Sequence, residues 1–465
     1  MTRLNAFGKT AEAGATVARV LFRQFVDDDL GCASYLVGDE DAGVAVVVDP
    51  AYAVEPYLAE AERRGVRLVG VLETHTHADH ISGHGRLALE HGLPVHIHPA
   101  AEPEFPFEPL EPGRTLELGS VAITTVHTPG HRPEHCSFTV ADRSRAAEPW
   151  LVLAGDSLFV GDAARPDLAV APREGASALY ASLRELLRLE DGVELYPGHV
   201  AGSLCGAGMS SKASSTIGFE RRFNPLLALS SEEEFVTEST GGAAVRPPNV
   251  ERVVALNRGP WLGAPTALRS IPFSSGLEVL DVRPALAYVF GHVPGALNVP
   301  VEGSGFGTKA GFVLSPGEPV AIHASDGAEA ELAARRLRAV GVLELAGVLE
   351  DPPASERLTP VALDELEQLL EDGAVEVVDV READERDAGY IPGSRHIPYR
   401  LLRATGGLLG GDLPVVTICE TGARAGIAAS ILSAAGVDAR PVLAGGVATW
   451  QARGNSTIAF RRCGT

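Results

Sequence analysis

A chain of 465 residues with 45% hydrophobic composition carries enough apolar material for two to four cores. Its net charge of -22 and pI near 5.1 leave no basic stripe to follow a phosphate backbone, so nucleic acid is excluded as an expected partner. No uncharged apolar run reaches the roughly eighteen residues of a bilayer span, and Met1 to Gly8 hold no signal-peptide core, so the expected setting is cytoplasmic with no membrane partner. Five cysteines, Cys32, Cys136, Cys205, Cys419 and Cys463, are too scattered and odd in number for a disulfide framework. Each is therefore read as buried filler or as chemistry.

In chain order, Ala18–Phe22, Ala33–Gly38 and Val44–Val48 are short β-branched runs separated by acidic or glycine-containing turns, as in a sheet. A helix is predicted from Val54 to Arg64. The apolar strand Leu68–Leu72 then delivers Thr74-His75-Thr76-His77-Ala78-Asp79-His80, and a helix is predicted to start near Ser82. Later strands behave alike. Val121–Val126 leads to His127-Thr128-Pro129-Gly130-His131, Trp150–Ala154 ends at Gly155-Asp156, and Val193–Tyr196 runs through Pro197-Gly198 to His199. Four strands thus end in ligand-capable residues, and strand ends on one rim of a sandwich bring distant side chains to one point. Imidazoles mixed with carboxylate suit zinc or iron better than calcium or magnesium, which prefer all-oxygen shells. A polar turn this rich in histidine would be costly to build without a metal.

The set His75-x-His77-x-Asp79-His80, His131, Asp156 and His199 resembles the metallo-β-lactamase superfamily, which implies a four-layered αββα sandwich over residues 1–262. Leu158 to Leu168, and Ala201–Gly206 followed by Ser214–Glu220, are similar to the persulfide dioxygenases of that superfamily in the subgroup fused to rhodanese modules. The resemblance implies one Fe(2+) per chain held by His75, His131 and Asp156, a facial triad that leaves three positions for persulfide and dioxygen, the co-substrate. His77, Asp79, His80 and His199 complete the set used by binuclear hydrolases, so spacing alone does not decide between one metal and two, and two Zn(2+) is the alternative cofactor. With a single iron, those four orient the ligands by hydrogen bonds. Arg165 is either an ion-paired turn residue or a guanidinium that binds the substrate's anionic groups. His84, His91, His96, His98, His127 and His135 are read as surface or core-satisfied imidazoles. Residues 225–262, with the acidic run Ser231–Glu234 and a helical Val250 to Asn257, lead into a linker.

The second half repeats. Leu277–Arg283 with Gly291–Ala296 recurs as Val375–Arg381 with Gly389–Ser394, and Asp281 and Asp379 stand 98 positions apart. The repeated Asp-Val-Arg and Gly-x-Val/Ile-Pro-Gly resemble rhodanese domains, small α/β modules placed at 263–352 and 357–461. In the second copy the buried strand Pro414–Ile418 ends at Cys419, and Cys419-Glu420-Thr421-Gly422-Ala423-Arg424 wraps into a helix predicted over Ala425–Gly436. A thiol there, at a helix N-terminus beside a guanidinium, suits a nucleophile, with Cys419 and Arg424 as catalytic residues. Cys-dependent phosphatases place the arginine one residue further on, so the spacing favours sulfur over phosphate. The first copy has Ala324 for the cysteine and Glu329 for the arginine and is expected to be a spacer or docking module. Cys205, in a glycine-rich loop, is a candidate thiol for relaying sulfur or an inert one; Cys32, Cys136 and Cys463 are read as filler.

The expected activity is oxidation of a low-molecular-weight persulfide, such as glutathione persulfide, to sulfite and thiol, coupled to rhodanese transfer that forms or uses thiosulfate. The expected partners are the small molecules persulfide, sulfite and thiosulfate, with a homo-oligomer of unspecified size. Fusion raises the effective concentration of a shared intermediate. The alternative is a binuclear thioester hydrolase of glyoxalase II type with a sulfurtransferase appendage; a scaffold with an inert metal site is the non-enzymatic reading.

Overall fold

The computed structural model describes residues 19–200, 209–241, 246–405, 409 and 411–460. Cys205 and Cys463 lie outside the described residues. Two six-stranded sheets form the centre of the first domain. In the first sheet Val20–Val26, Ala33–Asp39 and Val44–Val48 pair antiparallel, and Arg67–Leu72, Val95–Ile97 and Glu108–Pro109 continue it in parallel. The second runs in the order Ser215–Thr216, Glu194–Pro197, Leu151–Gly155, Cys136–Asp142, Val121–His127, Thr115–Leu118. Alternation places Tyr35, Val37, Val46 and Val48 of one sheet against Ile123, Phe138, Val140 and Leu153 of the other. Fully buried side chains of this size contribute roughly 1.5–3 kcal/mol each.

Helices cover both outer faces, which gives the αββα order. Glu55–Arg64 and His84–His91 pack through Tyr57, Ala61, Leu87 and Ala88 on the first sheet, and Pro172–Leu186 packs through Leu179, Leu183 and Leu186 on the second. Local signals set the ends: Glu55–Arg64 starts beside Pro56, carries Arg63 and Arg64 in its last turn and stops at left-handed Gly65. The acidic run is a helix start, Glu232–Thr240, capped by Ser231, whose hydroxyl accepts from Glu234 N at 3.2 Å.

Each later copy is a parallel sheet wrapped by helices. The first is ordered Ser270–Pro272, Leu345–Glu350, Val320–His323, Glu278–Asp281, Leu297–Asn298; the second Arg395–His396, Glu376–Asp379, Val415–Ile418, Ala439–Pro441. The repeated Pro-Gly turns have Gly295 and Gly393 at φ +74° and +79°, the conformation a type II turn requires after proline. The copies share a core in which Leu297 and Ile322 of the first meet the cluster containing Ile427 and Leu432 of the second. No helix among the described residues is long and apolar enough to cross a membrane.

Candidate metal centre

Four strand ends converge on one rim. The loop after Arg67–Leu72 carries His75 to His80, the loop after Val121–His127 carries His131, and Asp156 and His199 follow Leu151–Gly155 and Glu194–Pro197. Pairing of the last two strands aligns Gly155 with Pro197, so Asp156 and His199 arrive side by side. Glycine is required at that approach, because a Cβ on Gly198 would stand 2.4 Å from Asp156 Oδ1.

His75, His131 and Asp156 are brought together, fully buried, with one potential ligand atom each within 4.8 Å of the others. His131 Nε2 is 3.6 Å and His75 Nε2 4.0 Å from Asp156 Oδ2. The far ring nitrogens are already engaged: His75 Nδ1 with the Thr74 hydroxyl at 2.9 Å, His131 Nδ1 with the Arg165 carbonyl at 3.1 Å. Both Nε2 atoms are thereby aimed at the carboxylate. Asp156 Oδ1 bonds His199 Nδ1 at 2.8 Å, whereas Oδ2 is buried without a hydrogen-bond partner. A buried carboxylate oxygen left in this way is costly unless a cation completes it, so the donor set fits a metal ion.

Electrostatics prepare the same protonation states that ligation needs. Burial, aided by His77 and the other nearby imidazoles, pushes His75 well below the usual imidazole range, and burial lowers His131 as well. Burial alone would raise Asp156, but His199 and His131 overcome it and hold the carboxyl ionised.

The His77 ring lies 4.3 Å from that of His75, but its Nε2 is engaged elsewhere. Its Nε2 stands 3.2 Å from Glu73 Oε2 and 3.3 Å from Asp49 Oδ1, ion-pair distances without hydrogen-bond alignment. Burial opposes its charge, yet Asp49 and Glu73 outweigh burial and His80 and bring the imidazole up to about 9. Glu73 in turn is held at about 2 by His77 and His84 against its own burial. Ser82 and His84 bond the other Glu73 oxygen at 2.5 and 3.1 Å, and Thr74 N and Oγ1 bond Asp49 at 2.7 and 2.8 Å.

Asp79, His80 and His199 form a second cluster. Asp79 Oδ2 is 2.6 Å from His199 Nε2, and Asp79 Oδ1 is 3.1 Å from His80 Nδ1. Cys32, read from the sequence as filler, sits among them: its Sγ is 3.2 Å from His199 Nε2 and 3.4 Å from Asp79 Oδ2. The physical reason is the isolated bridge between Cys32 and His199, which joins the two sheets across the rim. Cys136, by contrast, is a fully buried core residue, its thiol pushed up to about 12 by burial.

Other residues of the centre gave little sequence signal. His135 accepts from Asp156 N at 2.9 Å through Nε2, so its Nδ1 donates to Thr128 Oγ1 at 2.9 Å. Burial drives this imidazole down to about 3. It is core-satisfied, as read, but it also fixes the backbone of Asp156. Asn257, the penultimate residue of the helix Val250–Arg258, donates to the carbonyls of His77 and His80 at 3.0 and 2.8 Å and accepts from Ser82 N at 2.9 Å. Arg165 is ion-paired, forking onto Asp167 at 2.7 Å, and it also lines the cleft beside His131 and Asp79. Of the other histidines, His84 lies at a tilt against Phe105 and His98 stacks on His127, outside the metal group.

In the second copy Cys419 is 1% exposed, and its Sγ accepts from Gly422 N at 3.1 Å. The following helix begins at Ala423, two residues earlier than expected, because Gly422 takes φ +109° as N-cap, where a Cβ would collide with Leu443 O at 2.2 Å. The Arg424 guanidinium is held by Glu385 through two 2.6 Å bonds, while Glu420 of the loop is held by Arg381 at 2.8 Å. In the first copy the loop between Val320–His323 and Gly327–Ala339 is shorter by one residue, and the Asp326 carboxylate accepts from Glu329 N at 2.8 Å.

Comparison with known proteins agrees with this anatomy. Residues 27–199 match the Metallo-beta-lactamase superfamily, and residues 265–351 and 362–453 match the Rhodanese-like domain. The Homo sapiens protein named persulfide dioxygenase ETHE1, mitochondrial, is 30% identical over 261 residues, which cover 55% of this chain and 95% of that one. Its Bos taurus counterpart is 32% identical over 46% of this chain and 79% of its own. The solved structure of a metallo-beta-lactamase from Staphylococcus aureus subsp. aureus COL superposes with a TM-score of 0.66 at 26% identity, covering 71% of this chain and 98% of that one. The chain therefore belongs to the persulfide dioxygenase family of the metallo-β-lactamase superfamily, an enzyme of sulfur metabolism extended by two rhodanese-like domains.

Proposed function

We propose that this enzyme is a mononuclear iron dioxygenase for a low-molecular-weight persulfide, fused to a sulfurtransferase, in domains spanning 1–262, 263–352 and 357–461. The observation that carries the reading is the engagement of His77 Nε2 by Asp49 and Glu73, although its ring lies 4.3 Å from that of His75. With His77 committed to Asp49 and Glu73, the remaining donors are two imidazoles and one carboxylate, the ligand number of a facial-triad iron site. A ferrous ion held by His75, His131 and Asp156 would supply the positions at which persulfide and dioxygen react. Overall, RSSH, O2 and H2O give RSH, sulfite and two protons.

The chain's own groups prepare that reaction. Thr74 and the Arg165 carbonyl orient the two imidazoles, His199 and His135 fix Asp156, and Asn257 pins the loop that carries His75. Arg165, at the cleft beside His131, offers positive charge to an anionic substrate, of which glutathione persulfide is the type. In the second copy the Cys419 thiolate takes the outer sulfur of RSSH, releasing RSH. The resulting Cys419 persulfide passes that sulfur to sulfite, giving thiosulfate and the free thiol; the reverse regenerates persulfide. Cys205 remains a candidate relay thiol within the same proposal.

Metal content and oxygen uptake test the reading together. One iron per chain and oxygen consumption with glutathione persulfide are expected. Two zinc ions per chain, no oxygen uptake and cleavage of a glutathione thioester would establish the binuclear hydrolase instead.

A further inference from the structure

The cleft beside His131 and Asp79 is not built by the first domain alone. One wall of it consists of Thr308 and Val340 from the Cys-less rhodanese copy. Arg165 and Arg246 line it as well, and both approach Asp167, at 2.7 and 3.7 Å.

That wall is fastened to the first domain, in one place directly beside His80. The Asp29 carboxylate accepts from the N–H groups of Phe306 and Gly307 at 2.7 and 2.6 Å, capping the helix Phe306–Val313 on which Thr308 lies. Gly305 N donates to Asp29 O at 2.8 Å. Ile81, the residue after His80, donates its N–H to Ala339 O at 2.7 Å, and Asn249 Nδ2 donates to Val340 O at 2.7 Å. A Cβ on Gly307 would stand 2.9 Å from Val340 and 3.0 Å from Asp29, so the two wall elements and the first domain meet at backbone distance. Val340 is 2% exposed, whereas Thr308 is only half-buried, which leaves Thr308 as the wall residue with room in front of it.

We propose that the Cys-less copy is a working part of the oxidation site, with Thr308 setting how large a thiol carrier the cleft admits. The carrier class that fits is a carboxylate-bearing peptidic thiol: an aliphatic and amide body along Val340 and Thr308, and carboxylates toward Arg165 and Arg246. This rests on the persulfide reading above and assigns a wall to that site.

The test uses full-length, iron-loaded protein, as wild type and as the Thr308→Trp and Thr308→Phe variants. Calorimetry gives Kd for two unreactive carriers, S-methylglutathione and S-methylcysteine, and oxygen uptake gives KM for the corresponding persulfides. Thr308→Trp is expected to raise Kd for S-methylglutathione at least tenfold and Kd for S-methylcysteine less than threefold, with KM following. Thr308→Phe repeats the comparison if the tryptophan variant melts early. Unchanged affinities for both carriers, equal losses for both, or a wild type that binds neither carrier would overturn the proposal. Absence of oxygen uptake by wild type with either persulfide would instead refute the dioxygenase reading, and the contrast in Kd would still judge the wall.

Discussion

The two rhodanese copies share a scaffold and differ at one loop. Both place an aspartate at the end of the strand, Asp281 or Asp379, and fork it with an arginine two residues on, Arg283 or Arg381. In the second copy Cys419 occupies the loop and Gly422 N donates to its sulfur. In the first, Ala324 replaces the thiol, the loop is a residue shorter, and Asp326 fills the helix N-terminus with its own carboxylate. A helix N-terminus holds one anion well, so a side-chain cap there and a reactive thiolate are alternatives. The copy that lacks the thiol is the one fastened to the first domain through Asp29, Asn249 and Ile81, the last of which follows His80. With the functions proposed above, the duplication separates sulfur transfer from site building.

The largest effect that tests this division is expected from Asp156→Ala. Oxygen uptake and bound iron should fall by more than about 100-fold, beyond the 10–100-fold typical of an outer-shell partner, while thiosulfate formation from supplied persulfide and sulfite persists. Loss of both activities together would mean that the two sites are not independent.

Cys419→Ser should abolish thiosulfate formation and let sulfite accumulate at an unchanged rate of oxygen uptake. Adding Ala324→Cys to that variant should restore nothing, because the shorter loop and Asp326 leave no cradle for the thiolate. Restored transfer, read as thiosulfate by chromatography, would show that the copies differ in the cysteine alone.

A pH effect belongs to the first domain. His135 is held down to about 3 by burial, and its Nε2 is committed to Asp156 N. Below about 6.5 the unfolded imidazole takes a proton that the folded one refuses until near 3. Its contribution is therefore complete above about 6.5 and is lost as pH falls toward 3. Urea unfolding of metal-free protein from pH 7.5 to 4.5 should show this loss, and His135→Gln should flatten it relative to wild type.

Asp29→Ala gives the smallest expected change, removing a helix cap and two hydrogen bonds to a carboxylate, about 1–3 kcal/mol of stability. Hydrogen exchange should locate the loosening in Phe306–Val313, and Cys419 chemistry should be untouched.

Much of the candidate site was legible because it follows strand periodicity. Apolar runs ending in His, Asp and His announced strand ends, and strand ends share a rim whatever the sequence between them. The repeat revealed the duplicated modules for a similar reason: Asp-Val-Arg and Pro-Gly encode a local fork and a turn. Cys32 and Asn257 carried no such pattern. Cys32 is brought to Asp79 by a single bridge to His199, and Asn257 reaches the carbonyls of His77 and His80 from about 180 positions away.

The sequence by itself determined the strands and helices, the duplication and the inventory of ligand-capable residues, since these depend on local periodicity and on chemistry fixed by residue type; the layering came only with the family resemblance. Only the tertiary structure decided which histidines face one another. His75 and His77 are two positions apart, yet Thr74 turns one ring toward Asp156, and Asp49 and Glu73 draw the other away. Two of the partners that choose between those directions, Asp49 and Asp156, follow other strands, so spacing within the motif carries no trace of them.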